Sequence, residues 1–459
     1  MTRHESKSNR GARKSGLTRR EAIRAVGAGA AAMAGAGAGL FGGRAPAFAQ
    51  GVTMHVLQLS NFAPEIDVEL NKLAGEFEKL QKCTMKMEFI GLNDVLPRTI
   101  ASVEAKTGPD VILLQWNQAQ LFGDSFVDVG DVVKAVGGNK IYKFNREAVL
   151  VDGVYRGVPI YNVGSAMTYN KKFCDSIGVT PDKYANTYDD LLKIGREMKK
   201  AGKPIGWCLG HTIGDGCFGN YPIVWSFGGA EVDEKGRVII DSKETREALK
   251  WMRAFWTEAC DEGGMSWNDA SNNQAFFAES VGCVLNAASI YVKARRDARL
   301  AKEKGDEAEA KRLNDFADNI RHTVAPTGSH GRFELIQQYN HHIPVYSKNR
   351  KLAKEWLLFI GAHKQYERIF LAGTGFAQGI APEWDAHPWW KTDPLMEPYK
   401  ELNKYGRNMG YKGPYGRGAS EVQSKYIIAD MLARAIRDDP DSAVKWAAQE
   451  IKLAYAAKA

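Results

Sequence analysis

The stretch from Asp152 to Phe173, DGVYRGVPIYNVGSAMTYNKKF, limits what this chain can fold into more than any other. Asp152-Gly153 is a turn dipeptide between two short β-prone runs, Val149 to Val151 and Val154 to Arg156, and it predicts a hairpin. Gly157-Val158-Pro159 is expected to end the pairing, because proline has no N–H to donate and biases its predecessor toward extended backbone. Tyr161-Asn162-Val163-Gly164 then reads as a short crossover, and Ala166 to Tyr169 as a resumed strand. Asn170-Lys171-Lys172 opens a helix. A strand that stops, crosses and restarts is what a chain needs to pass from one lobe to another.

The flanking sequence fits that reading. Val52 to Leu59 predicts a strand, followed by a loop holding Ser60, Asn61, Phe62 and Pro64. Ile66 to Leu80 places Val68, Leu70, Leu73, Phe77 and Leu80 among charges at helical spacing. Met85 to Ile90 alternates as a strand, a helix follows to about Ala105, and Asp110 to Leu114 is an apolar strand after Gly108-Pro109. Strands alternating with helices predict parallel pairing and buried strands. Further on, Thr187 is a plausible N-cap for a helix through Leu191-Leu192, and Ile239 to Asp241 reads as a short strand before a helix from Ser242 to Ala259.

Residues 1–49 are expected to be a cleaved leader. Arg19-Arg20 precedes a Gly/Ala-rich apolar run, and Ala47-Phe48-Ala49 offers a signal-peptidase site before Gln50. The paired arginines resemble a twin-arginine signal, with the Sec route as the alternative because Ala22 stands where an aromatic is usual. Nine of the 62 basic and two of the 54 acidic residues lie in the leader, leaving 53 and 52 and a mature net charge of about +1. A nucleic-acid partner needs clustered, uncompensated positive charge, so that class is set aside. About 410 mature residues exceed an ordinary single domain and suggest two lobes.

Enzyme chemistry needs a constellation, and none is visible. His341-His342 are adjacent, so in a strand they face opposite ways. Gly373-Thr374-Gly375, with Gly379 beyond, follows a helix where a phosphate loop would follow a strand. No cofactor and no metal site is expected. Of the six cysteines, only Cys208 and Cys217, flanking one glycine-rich loop, form a pair worth proposing as a disulfide.

The central stretch, with Tyr155, Gly157-Val158-Pro159, Tyr169-Asn170-Lys171, Phe173 and Gly178, resembles the extracellular solute-binding proteins of ABC importers, in the carbohydrate-binding branch that includes maltose-binding protein. So do Gly108-Pro109-Asp110-Val111, Gln274 to Glu279, and Ile343-Pro344 with Ser347-Lys348-Asn349 and the following Ala353 to Ile360. The resemblance spans nearly the whole mature chain as spaced motifs. It implies an α/β, two-lobed periplasmic-binding-protein fold (type II), each lobe a doubly wound sheet, with hinge crossovers near residues 162 and 325 and a third later. Lobe one is expected over 50–162 plus about 326–400, and lobe two over 163–325 plus about 401–459. Residues 293–321 depart from the family pattern, and their alternating charges predict an exposed helix or helical hairpin.

The resemblance further implies capture of a small carbohydrate or polyol by a monomeric periplasmic protein, and its delivery to an inner-membrane ABC permease. It places Trp116 and Asn117 at the end of the third strand, Tyr161 and Asn162 at the crossover, and Phe218, Trp225, Trp267 and Asn286 on later elements, as ligand-binding candidates. Sugars need aromatic faces and convergent polar groups, and the chain has eleven Trp and seventeen Tyr. Ala287-Ala288-Ser289 replaces a glycine-tryptophan pair frequent in the family, which favours a small ligand. Arg417, inside Gly413-Pro414-Tyr415-Gly416-Arg417-Gly418, is either a cleft clamp for an anion or hydroxyl pair or part of a surface turn. The alternatives are a non-sugar solute such as a phosphorylated polyol and, from a different class, a twin-arginine-exported cofactor enzyme.

Overall fold

The computed structural model describes residues 51–181 and 186–456; the expected leader and its cleavage point lie outside the described residues. Strand β1 (Thr53–Leu59) leads into the helix Pro64–Gln81, then β2 (Thr84–Ile90), the helix Val95–Ala105 and β3 (Val111–Gln115). Pro64 opens the first helix where its missing N–H costs nothing, and Glu65 and Asp67 put negative charge at the positive end of the helix dipole. Ile66, Leu70, Leu73, Ala74 and Phe77 form its buried stripe. Val68 and Leu80, expected on that stripe, are instead exposed. Val68 stands two residues from both Ile66 and Leu70 and so points away from the sheet. Leu80 lies in the last turn, beside the left-handed stop at Lys82 (φ 54).

The predicted hairpin is β4 (Leu150–Val151) and β5 (Val154–Tyr155), turned by Asp152 and Gly153, both at positive φ. Pairing does not end at Pro159. β6 (Val158–Val163) is a fully buried strand that contains it. After Gly164-Ser165 come β7 (Ala166–Asn170), β8 (Ile205–Gly206), β9 (Cys283–Asn286) and β10 (Ile320–Thr323). Two-residue β11 (Glu334–Leu335) precedes β12 (Gln337–His342), and β13 (Gly406–Arg407) pairs with β11.

These strands form two main sheets. The first has the order β2-β1-β3-β12-β6, with β1 parallel to β2 and β3 and β12 antiparallel to both its neighbours. β6 is an edge strand, and its register with β12 shifts between Tyr339 and Asn340, opposite Tyr161 and Pro159. An edge and a register shift are the places where a sheet accepts proline, so the pairing survives. The second sheet has the order β10-β7-β9-β8. The chain passes from the first sheet to the second through Gly164 and Ser165, between β6 and β7, and returns between β10 and β12. A Cβ on Gly164 would stand 2.6 Å from Leu402 Cδ1 and 3.1 Å from Leu402 Cβ, so a larger residue here must displace Leu402.

Helices cover both sheets. Thr187 and Asp190 form a reciprocal capping box at the start of Tyr188–Lys200, and Ser242 caps Lys243–Ala259. Ile239 to Asp241 is not a strand. Asp233 turns the chain by accepting from the N–H groups of Lys235 and Arg237, leaving one bridge between Val232 and Val238. The charged segment forms a helical hairpin, Ser289–Glu303 and Glu307–Asp318, closed inside by Ala294, Ala298, Ala310, Leu313 and Ala317. One core cluster centres on Val56, Leu57, Ile112 and Phe77; the other packs Met167, Trp225, Trp251 and Leu432. All six cysteines are free, so the expected Cys208–Cys217 disulfide is absent. The Cys208 thiol sits against the Trp267 carbonyl, and Cys217 packs beside Gln423.

Candidate functional site

In an open α/β sheet, ligands bind beyond the carboxyl ends of the strands. The parallel strands β1, β2 and β3 all deliver chain to one end of the first sheet. There Phe62 follows β1, Leu92 follows β2, and Gln115 and Trp116 end β3. Facing them are the loop and helix Gly214 to Phe218, Asp269, and the end of β9 with Asn286, Ala287 and Ser289. Val163, Gln337, Tyr339 and Phe376 complete the lining. The space between them is about 20 Å³, room for about one water molecule. A sugar-sized solute reaches this site only if the two lobes part.

Most of the polar lining is bonded to itself. Asn286 Nδ2 donates to Asn273 Oδ1 (2.6 Å), Asn273 Nδ2 to Ser289 Oγ (3.0 Å), and Ser289 Oγ to Asn286 Oδ1 (3.0 Å). Tyr339 donates to Gln337 Oε1 (2.9 Å), whose amide donates to Gln115 Oε1 (2.5 Å). Asp269 organises the loop opposite. It accepts from the Thr212 hydroxyl and from the Asp215 backbone N–H at 2.7 Å. Asp215 differs: its Oδ2 is shielded from solvent and has no partner. Burial, with the nearby Asp269 carboxylate second, raises the Asp215 carboxyl well above the ordinary range. Burial also raises Asp269, against the hydrogen bonds it accepts.

The candidates chosen from sequence divide into three groups. Phe218 and Asn286 line the space. Trp116 stands behind Phe218, ring centroids 6.4 Å apart, with its indole N–H buried and unpartnered and its backbone left-handed at φ 47. That conformation costs a bulky residue energy and marks the strand end as a place held by its surroundings. Tyr161 lies one layer back, stacked on Tyr339 at 4.7 Å and bonded to Asn61 Oδ1.

The others serve packing or seams. Asn162 bonds to Asn145, Gly379 and Asn403 at the crossover. Asn117 and Arg417 lie in one seam between segments 117–121 and 415–421. There Asn117 donates to Tyr415 O, and Ser420 donates to Asn117 O. Arg417 donates to Glu421 (3.0 Å) and Leu121 O (2.9 Å) and does not line the space. Trp225 is buried among Tyr221, Phe333 and Tyr411. Trp267 packs over Gly206, where a Cβ would meet the indole at 2.8 Å. His341 and His342 face Gln58 and the Arg156 carbonyl, and burial lowers both to about 3 and 4 respectively, so they are neutral.

Asp215, Asp269, Gln337, Tyr339, Phe62, Leu92, Ser289 and Phe376 were not anticipated. One signal pointed their way: Asp215 lies in the glycine-rich loop 211–220, whose backbone freedom suits a ligand-facing turn. Among the described residues, no group of three or more His, Cys, Asp or Glu side chains gathers as a metal site. None of their helices is long and apolar enough to cross a membrane.

Comparison with known proteins completes the description of the site. The family model for bacterial extracellular solute-binding proteins matches residues 63–367. An arabinooligosaccharide-binding protein of Halalkalibacterium halodurans is 28% identical over 101 residues, 22% of each chain. The chain thus spans about a fifth of that curated relative's length. Among solved structures, a solute-binding protein of Thermotoga lettingae bound with α-D-tagatose superposes with a TM-score of 0.73 at 16% identity, covering 88% of this chain and all of that one. A protein of Agrobacterium radiobacter in complex with ribitol gives 0.68 at 16% identity, covering 88% and 98%. Maltose-bound MalE3 of T. maritima gives 0.70 at 18%, covering 88% and 99%. At these identities the likeness shows the fold, the two-lobed periplasmic-binding-protein architecture.

Proposed function

The chain belongs to the bacterial extracellular solute-binding proteins, and from that premise we propose that it captures a small carbohydrate or polyol between its two lobes and delivers it to an ABC permease. The observation that carries the reading is the narrow polar and aromatic space at the strand ends between the two sheets, with Phe218 and Asn286 on its wall. Trp116 and Tyr161 support that wall from behind. Asn117, Asn162 and Arg417 hold the segments that must move or stay as the lobes part. Closure is the signal: a solute that touches both lobes only when they are shut shifts the open–closed equilibrium toward the form a permease reads. The chain acts in the periplasm as a monomer without catalysis, exported by its twin-arginine leader.

Solved structures of similar fold holding tagatose, ribitol and maltose support a hydroxyl-rich solute class. Ala287 and Ser289 on the wall, in place of the family's glycine-tryptophan pair, favour a short one. A phosphorylated polyol is not favoured, because no Arg or Lys lines the space and Arg417 is committed to Glu421 and Leu121.

Thermal unfolding of residues 50–459 against sugars, polyols, their phosphates and amino acids tests the reading. A solute at a hundred times its Kd adds roughly 2.7 kcal/mol, a shift of a few degrees. A hit among sugars or polyols is expected; hits confined to phosphates or amino acids would overturn the solute class.

A further inference from the structure

The lining of the cleft is charged in one direction only. Asp215 and Asp269 both face it, and no Lys, Arg or His does. Asp269 is engaged by Thr212, by the backbone N–H groups of Gly214 and Asp215, and by Asn93. Asp215 receives one side-chain hydrogen bond, from Asn272, and keeps Oδ2 shielded and free. No other lining side chain has a solvent-shielded polar atom without a partner. Buried charge is ordinarily matched by an opposite charge or a metal. Two carboxylates without a third ligand give a metal ion a poor site.

Sugar hydroxyls can donate to a carboxylate, but they bring no positive charge to the acidic pair. An ammonium group supplies donors and charge together, and its hydrogen bonds to a carboxylate are the stronger kind. Phe62, Phe218, Phe376 and Tyr339 complete the wall, and aromatic faces also favour cations over neutral groups. We propose that the solute is an amino sugar or amino polyol, whose protonated amine is taken by Asp215 Oδ2 while its hydroxyls and ring meet the amide and aromatic wall. Burial raises the Asp215 carboxyl, and an ammonium beside it would favour the ionised form again.

This inference rests on the solute-binding reading and is tested apart from it. Residues 50–459 are titrated calorimetrically with two matched sets: glucosamine against glucose and N-acetylglucosamine, and 1-amino-1-deoxysorbitol against sorbitol. At least one amine is expected to bind ten times more tightly than its neutral counterparts. Asp215→Asn should erase that preference while the protein without solute still unfolds cooperatively. The wild-type sets decide the matter even where D215N fails to fold. Binding of glucose or sorbitol as tight as that of the amines would overturn the inference and leave the solute-binding reading standing. Silence from both amines would overturn it too, and the wider solute panel then decides whether the sugar reading survives.

Discussion

Two polar groups stand near the junction of the sheets, Asn162 buried and Asp215 half-buried, and they behave oppositely. Asn162 exchanges backbone hydrogen bonds with Gln378 at 2.8 Å each way, and its side chain is bonded to Asn145, Asn403 and Gly379. Asp215 leaves an oxygen shielded and unbonded beside the narrow space between the sheets. A buried polar group satisfied by its own chain fixes geometry; one left unsatisfied beside a cavity is available to a ligand. Glu231 shows that both conditions are needed. It too has a shielded, unpartnered oxygen, yet it lines no part of the cleft, and burial holds its carboxyl at about 8, so it settles its charge by keeping a proton.

That contrast can be broken or sharpened by mutation. The largest effect is expected at the crossover: Asn162→Ala leaves Asn145, Asn403 and the Gly379 carbonyl short of partners and should cost about 3 kcal/mol in denaturant unfolding. A loss below about 1 kcal/mol would mean the hub does not hold the crossing.

Glu231 gives the next effect, read through pH. Its folded carboxyl, at about 8, lies above the ordinary 4.5. Between those values the folded chain keeps a proton that the unfolded chain releases. The contribution is therefore fully present below about pH 4.5 and is lost as pH rises through 8, at no more than about 1.4 kcal/mol per pH unit. Glu231→Gln should flatten the decline of unfolding free energy between pH 5 and 8; an unchanged slope would contradict the assignment.

Asp215→Asn is expected to leave the unfolding temperature nearly unchanged, because burial already raises the carboxyl well above its ordinary range and its Oδ2 makes no hydrogen bond that the amide would lose. A drop of several degrees would move Asp215 into the structural class with Asn162. The smallest effect belongs to the helical hairpin. Arg296 and Arg299 reach Glu65 at 3.2 and 3.0 Å beside a surface hollow of about 390 Å³. These pairs are substantially exposed, so the double change to alanine should cost under about 1 kcal/mol and fade in high salt.

The fold was legible because its signals are local. Alternating strands and helices, the Asp152-Gly153 turn and the Thr187 cap each rest on neighbours in sequence. β6 was misjudged because the tolerance of Pro159 depends on an edge position that only the sheet order reveals. The site was half legible. Of the positions that the resemblance implies, Phe218 and Asn286 line the space between the sheets, whereas Trp225 and Trp267 pack away from it; Arg417, singled out for its glycine-rich segment, is bonded to Glu421 and Leu121. Asp215 and Asp269 are 54 residues apart in sequence and meet only when the loop before Phe218 folds against the segment after Trp267. No periodicity or spacing carries that meeting.

Hydrogen exchange of residues 50–459, with and without the panel solute that most raises the unfolding temperature, tests the central claim directly. Protection is predicted in segments 212–218, 284–289 and 337–339, with the helix Pro440–Ala456 unchanged. Protection confined to the hollow around Glu65, Arg295 and Trp389, or to the Arg417 seam, would contradict a solute site between the sheets.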